Sequence, residues 1–534
     1  MCLFLLGKGF EMPLIQMSNK KSLLEIKSLS CGFERGFRVC DIFLNVCEGE
    51  RIGLVGESGS GKSFIANMIL KLHPFVCVQK GSIEFEGRNL LQLSQREIRK
   101  VRGKQIAYVA QEPLSSLNPL HKVGTQVLES LVLHHSHLSK KQMLQRLDEV
   151  FFQVGLSLEL QNCYPYQLSG GQRQRAAIAM GIINRPKLLI CDEPTTALDA
   201  SIQKQILELL QNLSIQNQMA ILLISHDLNV VRDFVHRVYV AKEGKICEEG
   251  EVKNVFENPK NSYTKMLLEA LKLPKKSISP RKEKVLEVKN FAVAYPQKKF
   301  FFKKDSKNVV NDVSFILHSR ETLGIVGESG SGKSSLAMGI LKLAESSGEE
   351  YLLGHSLSNL GSREFRRYRR EIQVVFQDPY ASLNPRMRVR DIIFEAFRLG
   401  GFENRLDLIE EVLESVGFEK KLIESYPYEL SGGQRQRVAI ARAIALKPKV
   451  IVMDEPTSAL DKSMQKVVIE LLLSLQEKFS LSYLFISHDL DVIEAVCDRV
   501  MVFQNGRVVE SASVRDIFTK PENPYTKELL RARL

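Results

Sequence analysis

Gly56-Glu57-Ser58-Gly59-Ser60-Gly61-Lys62-Ser63 decides how this sequence is read, because the same eight letters return from Gly327 to Ser334. Each copy follows a short apolar run. In the first copy it is Arg51-Ile52-Gly53-Leu54-Val55, bounded as a buried parallel strand is. The spacing G-x4-G-K-S lets backbone N–H groups converge on phosphate oxygens at the start of a helix. Read this way, Gly56, Glu57, Ser58, Gly59, Ser60 and Gly61 form one phosphate cradle, and Gly327, Glu328, Ser329, Gly330, Ser331 and Gly332 form another. Lys62 and Lys333 reach the β- and γ-phosphates, and the hydroxyls of Ser63 and Ser334 ligate Mg²⁺.

Working outward, the duplication extends through the whole chain. Leu168-Ser169-Gly170-Gly171-Gln172-Arg173-Gln174-Arg175 recurs from Leu430 to Arg437, Asp192-Glu193-Pro194-Thr195 from Asp454 to Thr457, and Ile224-Ser225-His226-Asp227-Leu228 from Ile486 to Leu490. Leu168 to Asp192 and Leu430 to Asp454 both span 24 residues, and each of those aspartates lies 34 residues before its histidine. From phosphate loop to signature the distances are 112 and 103, so the first half carries nine extra residues there. Two homologous α/β domains follow, at 23–271 and 285–534. Each reads as strands, phosphate loop, helix, a helical middle (125–160 and 389–425), then alternating helices and strands.

Residues 272–284 hold two prolines, two serines and six Lys/Arg with almost no apolar content, which predicts a solvated linker. Residues 1–22 read as an N-terminal tail. Cys2-Leu3-Phe4-Leu5-Leu6 is too short for a signal core, and Met12 and Met17 are alternative starts, so the first 16 residues are expected to be disordered or a mis-assigned start.

The 534 residues are 44% hydrophobic and 25% charged, which excludes a disordered or fibrous chain. No apolar run approaches the roughly 18 residues of a membrane span, so the sequence predicts a chain that does not cross a membrane. The net charge of +12 fits a Lys-rich solvated surface, phosphate ligands, nucleic acid or an anionic membrane surface. Nine cysteines without CxxC spacing fit a reducing cytoplasm.

A carboxylate at the end of an apolar strand can hold Mg²⁺, and its neighbour can orient and deprotonate an attacking water. Asp192-Glu193 and Asp454-Glu455 have that form, 136 and 127 residues after the first glycine of their phosphate loops. Ser169 and Ser431 suit helix N-caps. Gly170, Gly171 and Gln172, with Gly432, Gly433 and Gln434, open the helix and expose N–H groups able to approach a second phosphate.

Together with Gln111-Glu112-Pro113 and Gln377-Asp378-Pro379, these motifs make each half resemble the ATPase domain of ABC transporters. The resemblance implies tandem P-loop NTPase domains, each a mostly parallel core sheet with an antiparallel β part and a helical subdomain. It implies ATP and Mg²⁺ as ligands, with metal contacts from Ser63, Gln111 and Asp192 and from Ser334, Gln377 and Asp454. Glu193 and Glu455 would be general bases, His226 and His488 γ-phosphate contacts, and Asp199 and Asp461 D-loop residues. Phe33 and Tyr295 would stack on adenine, although aromatics there suit a core equally.

The stretch from Gln111 to Pro119, its counterpart from Gln377 to Pro385, and Tyr-Thr-Lys-x-Leu-Leu at Tyr263 and Tyr525 resemble the dipeptide/oligopeptide/nickel importer ATPases, in a form fusing two subunits as in microcin C or peptide uptake. That implies two permease subunits, an extracytoplasmic binding protein, no nucleic acid, intramolecular pairing of the halves, and a peripheral place on the cytoplasmic side of a bacterial inner membrane. Some relatives carry a cysteine cluster, but no cysteine lies between Cys247 and Cys497, so no iron–sulfur site is expected.

His134-His135-Ser136-His137 suits a solvated helical surface better than a metal site. Lys298 to Lys304 interleaves cations and aromatics and reads as a variable hairpin between early strands. The alternative function, a soluble tandem ATPase acting on ribosomes or nucleic acid, usually brings a long charged connector or zinc-spaced cysteines. Neither is here.

Overall fold

Five-residue runs that are buried end to end suit central strands of a parallel sheet with both faces covered. Arg51–Val55, Leu188–Asp192, Thr322–Val326 and Val450–Asp454 are such runs. The computed structural model describes residues 21–534 except 35, 112–115, 197, 278, 299–303, 359, 400, 402–405, 459, 532 and 534. Residues 1–20 of the expected 1–22 tail and 299–303 of the expected hairpin therefore lie outside the described residues. The flanking strands Lys284–Lys298 and Lys304–His318 pair antiparallel, as a hairpin requires.

In the first half a six-stranded sheet runs in the order Lys245–Glu251, Arg237–Lys242, Arg51–Val55, Ala220–Ser225, Leu188–Asp192 and Ile106–Val109. All neighbours are parallel except the first pair. The second half repeats it: Ile372–Val375, Val450–Asp454, Ser482–Ile486, Thr322–Val326, Arg499–Gln504, Arg507–Ser513. Each half adds a four-stranded antiparallel sheet, built on Ser22–Gly32 or Lys284–Lys298. Its strands carry apolar side chains on one face, and those cover one side of the core sheet in a single cluster running from Leu23 to Ala241.

The other side carries helices. Val123–His134, Lys140–Gln153 and the signature helix Gly170–Ile182 share one core, as do Val389–Leu399, Leu406–Ser415 and Gly432–Ile444. The expected α/β architecture of parallel core sheet, antiparallel part and helical part is present in both halves. Among the described residues no helix is long and apolar enough to cross a membrane.

Most described residues of the connector are exposed, but one departs from the composition-based expectation. Lys276 is not solvated: its side chain is only 4% exposed and pairs with Asp498 at 2.5 Å. The other two ammonium hydrogens go to Arg320 O at 3.0 Å and Thr322 Oγ1 at 3.2 Å, and its backbone N–H donates to Ala495 O at 2.9 Å. A buried cation is tolerated where every donor is met. These acceptors lie 44 to 222 residues away in sequence, so local composition does not reveal them.

Candidate nucleotide site

The phosphate loop is shaped by glycine where nothing else fits. Gly56 has φ +150°, and a Cβ there would lie 2.2 Å from Ala241 O; Gly327 meets Phe503 O at the same distance. The loop leads into the helices Lys62–Ile69 and Lys333–Ile340. Lys62 is buried and donates to Gly56 O at 2.8 Å and Glu57 O at 2.7 Å; Lys333 donates to Gly327 O and Glu328 O, both at 2.8 Å. Burial pulls both ammonium pKa values down, opposed by the nearby Asp-Glu pair.

Asp192 and Asp454 end central strands. Burial pushes both carboxyls up, against the hydrogen bond from Tyr108 on Asp192 and that from Ser334 on Asp454. Tyr108 donates to Asp192 Oδ2 at 2.7 Å, and Ser334 donates to Asp454 Oδ1 at 3.0 Å. Tyr108 was missed in the sequence. Its counterpart is Val374, so the repeat gives it no echo. Among the described residues Asp192 Oδ1 is buried without a hydrogen-bond partner, which fits an oxygen reserved for a hard cation.

Glu193 and Glu455 stand in the left-handed region at φ +48° and +49°, a conformation costly for a residue with a Cβ and found where surrounding contacts enforce it. Gln111 Nε2 donates to Glu193 Oε2 at 2.7 Å, Thr196 Oγ1 to the same oxygen at 3.1 Å, and His226 Nδ1 lies 2.9 Å from Oε1. Gln377 and His488 meet Glu455 at 2.7 and 3.2 Å. Burial alone would raise the glutamate pKa and lower that of histidine. The mutual hydrogen bond and charge outweigh it, so Glu193 and Glu455 are held below the ordinary value and His226 and His488 above theirs.

Ser169 and Ser431 cap their helices, with Gln172 and Gln434 closing the capping boxes. Both serines are exposed. Gly171 lies against Ile202 and Gly433 against Met464, so each signature helix packs on the helix that follows its own D-loop.

Those D-loops reach across the molecule. Asp461 acts on Lys62, and Asp199 acts on Lys333. Ser463 donates to Glu57 Oε1 at 2.9 Å, joining residues 406 apart. A cavity of about 310 Å³ is lined by Thr196 and Asp199 from one half and Ser329, Lys333, Gln377, Glu455 and His488 from the other. Neither signature serine lines it.

The aromatics are placed differently from one another. Phe33 meets Phe64 edge-on at 5.7 Å and His73 at 5.8 Å. Phe37 also lies beside the loop, its ring 2.6 Å from where a Cβ of Gly61 would stand. Tyr295 is 39% exposed. His134 ends the helix Val123–His134, and His135 meets His137 edge-on at 5.7 Å.

Comparison with known proteins agrees with this geometry. The ABC transporter family model matches residues 39–196 and 310–458, and the model for the oligopeptide/dipeptide transporter C-terminal region matches 247–302 and 509–533. The peptidoglycan transport ATP-binding protein YejF of Agrobacterium fabrum (strain C58 / ATCC 33970) is 43% identical over 96% of this chain and 97% of its own length. An uncharacterized ABC transporter ATP-binding protein YejF of Escherichia coli (strain K12) is also 43% identical, over 96% and 99%. The glutathione import ATP-binding protein GsiA of the same strain is 39% identical over 97% and 87%. A chain that builds this site twice and matches one family across both copies belongs to the ABC transporter ATP-binding proteins, as an ATPase with the oligopeptide/dipeptide C-terminal region in each half.

Proposed function

We propose that the chain is the ATP-hydrolysing, energy-coupling subunit of an ABC importer for peptides or related small substrates, nickel being the other cargo class of the resembling transporters. It works peripherally at the cytoplasmic face of the inner membrane, with two permease subunits and an extracytoplasmic binding protein. The observation that carries the reading is the Gln111–Glu193–His226 cluster beside Lys62, repeated as Gln377–Glu455–His488 beside Lys333. The oligopeptide/dipeptide C-terminal region supports the substrate class and disfavours the ribosomal or nucleic-acid alternative.

Glu193 and Glu455 orient the attacking water and accept its proton. Their depressed pKa values keep them ionised, and His226 and His488 fix the carboxylate while offering a donor to the γ-phosphate. Lys62 and Lys333 leave their resting carbonyls to meet the β- and γ-phosphates. Ser63, Gln111 and Asp192, with Ser334, Gln377 and Asp454, would hold Mg²⁺, which supplies charge neutralisation of the phosphates. Phe33 and Tyr295 are the proposed adenine stackers. The domains divide as 23–271 and 285–534, joined by 272–284. Each ATP is shared between halves: the Lys62 site takes Ser431 and Gly433, and the Lys333 site takes Ser169 and Gly171. The D-loop contacts support that pairing.

Glu193→Gln and Glu455→Gln keep size and remove proton acceptance, a change typically worth roughly 10²–10⁴ in rate at the affected site. The expected outcome is that loss of MgATP turnover in chain co-purified with its permease. Near-normal turnover in both variants would contradict the general-base role, and recovery of the chain with ribosomes instead of permease would contradict the importer.

A further inference from the structure

The Tyr-Thr-Lys-x-Leu-Leu segment closes each half, and the nucleotide chemistry above gives it no part. It opens the helices Ser262–Ala270 and Pro524–Arg531. The Tyr263 hydroxyl accepts a hydrogen bond from the Glu57 N–H at 3.1 Å, and Tyr525 accepts from the Glu328 N–H at 3.0 Å. Glu57 is the second residue of the phosphate loop, and its carbonyl receives the Lys62 ammonium at 2.7 Å. One peptide segment is thus held by the tyrosine at its N–H and by the phosphate-loop lysine at its C=O. Moving it moves the resting place of the lysine.

The same helices are tied at their far ends to the opposite half. Lys466, on the helix Lys462–Phe479 after the second D-loop, donates to Glu269 O at 3.2 Å. Lys204, on the helix Ala200–Asn217 after the first, donates to Arg531 O at 3.0 Å. A cation on C-terminal helix carbonyls also complements the helix dipole. At the near end the Glu248 carboxylate accepts from the N–H groups of Lys260 and Asn261 at 2.7 and 3.1 Å, and Glu510 does the same for Glu522 and Asn523 at 2.9 and 3.1 Å. Lys242 lies 4.9 Å over the Tyr263 ring, and burial pushes that phenol up to about 12.

We propose that the two closing helices are cross-struts, each linking its own phosphate loop through a tyrosine hydroxyl to the opposite half's D-loop helix, with Tyr263 and Tyr525 as positioning residues for Lys62 and Lys333. The inference rests on the ATP-site reading above. It adds a route by which each half senses where its neighbour stands.

Tyr263→Phe and Tyr525→Phe keep the ring and delete only the hydroxyl, leaving a partly buried N–H unmet. In the full chain, MgATP affinity measured by displacement of trinitrophenyl-ATP is expected to weaken roughly three- to tenfold at the affected site, with melting temperature unchanged. Lys466→Met should weaken binding alone yet add nothing to Tyr263→Phe, since either change cuts the same strut. Unchanged affinity in the Tyr263→Phe/Tyr525→Phe chain overturns the proposal. So does full additivity of Lys466→Met with Tyr263→Phe, or an affinity loss that only follows a fall in melting temperature. Failure of the unaltered chain to bind MgATP would instead sink the ATPase reading beneath it.

Discussion

At the scale of single residues, the Glu193–His226 and Glu455–His488 pairs set a pH window. The histidines are raised above 6.5, so their contribution to stability is complete below that value and fades as pH climbs through the raised one. The glutamates are lowered below 4.5, so theirs is complete above 4.5 and fades as pH falls through the lowered value. Between about 4.5 and 6.5 both members of each pair are charged. The chain should therefore melt higher at pH 6 than at pH 8.5, by roughly 2–4 °C if the pairs together contribute on the order of 1 kcal/mol. A chain carrying His226→Gln and His488→Gln should lose most of that difference. Thermal melts of the two proteins at both pH values check it, and an equal slope in each would show that other groups govern the alkaline side.

Elements divide into those the sequence displays and those it conceals. Ser431 caps the helix Gly432–Ile444 and remains exposed, which leaves its N-terminus open to a partner. Ser431→Asp should preserve the cap, since aspartate caps about as well as serine, while placing a negative charge where a γ-phosphate would approach. Photolabelling with azido-ATP should then lose label from peptides around Lys62 and keep it around Lys333. The opposite pattern would reverse the proposed pairing of signature and phosphate loop.

The central strands, both phosphate loops, the caps and the carboxylate pairs were legible because their chemistry is local: consecutive apolar residues, glycines at fixed offsets, a serine before a helix. What stayed hidden depends on distant partners. Tyr108 reaches Asp192 over 84 positions, Ser463 reaches Glu57 over 406, and the two closing tyrosines were visible only as a repeated motif without a task. Lys276 looked solvated because a lysine's neighbours in sequence say nothing of three acceptors 44 to 222 residues away.

For the molecule as a whole, the connector decides how the halves meet. From Leu271 to Lys276 there are five residue steps, which extend at most about 18 Å. Held so close, the halves face each other at an effective concentration around millimolar or above, beyond that of separate chains in a cell. Specific ATPase activity should therefore be independent of protein dilution and cooperative in ATP. A steep rise with protein concentration would point to pairing between chains. The tether has one more consequence. In the proposed intramolecular pairing each assembly joins one first half to one second half, so neither half is required to be compatible with a copy of itself. Differences such as Tyr108 against Val374, or Lys462 against Ala200, can accumulate on one side alone without being tested on the other. A fused pair is free to specialise in a way that two identical subunits are not.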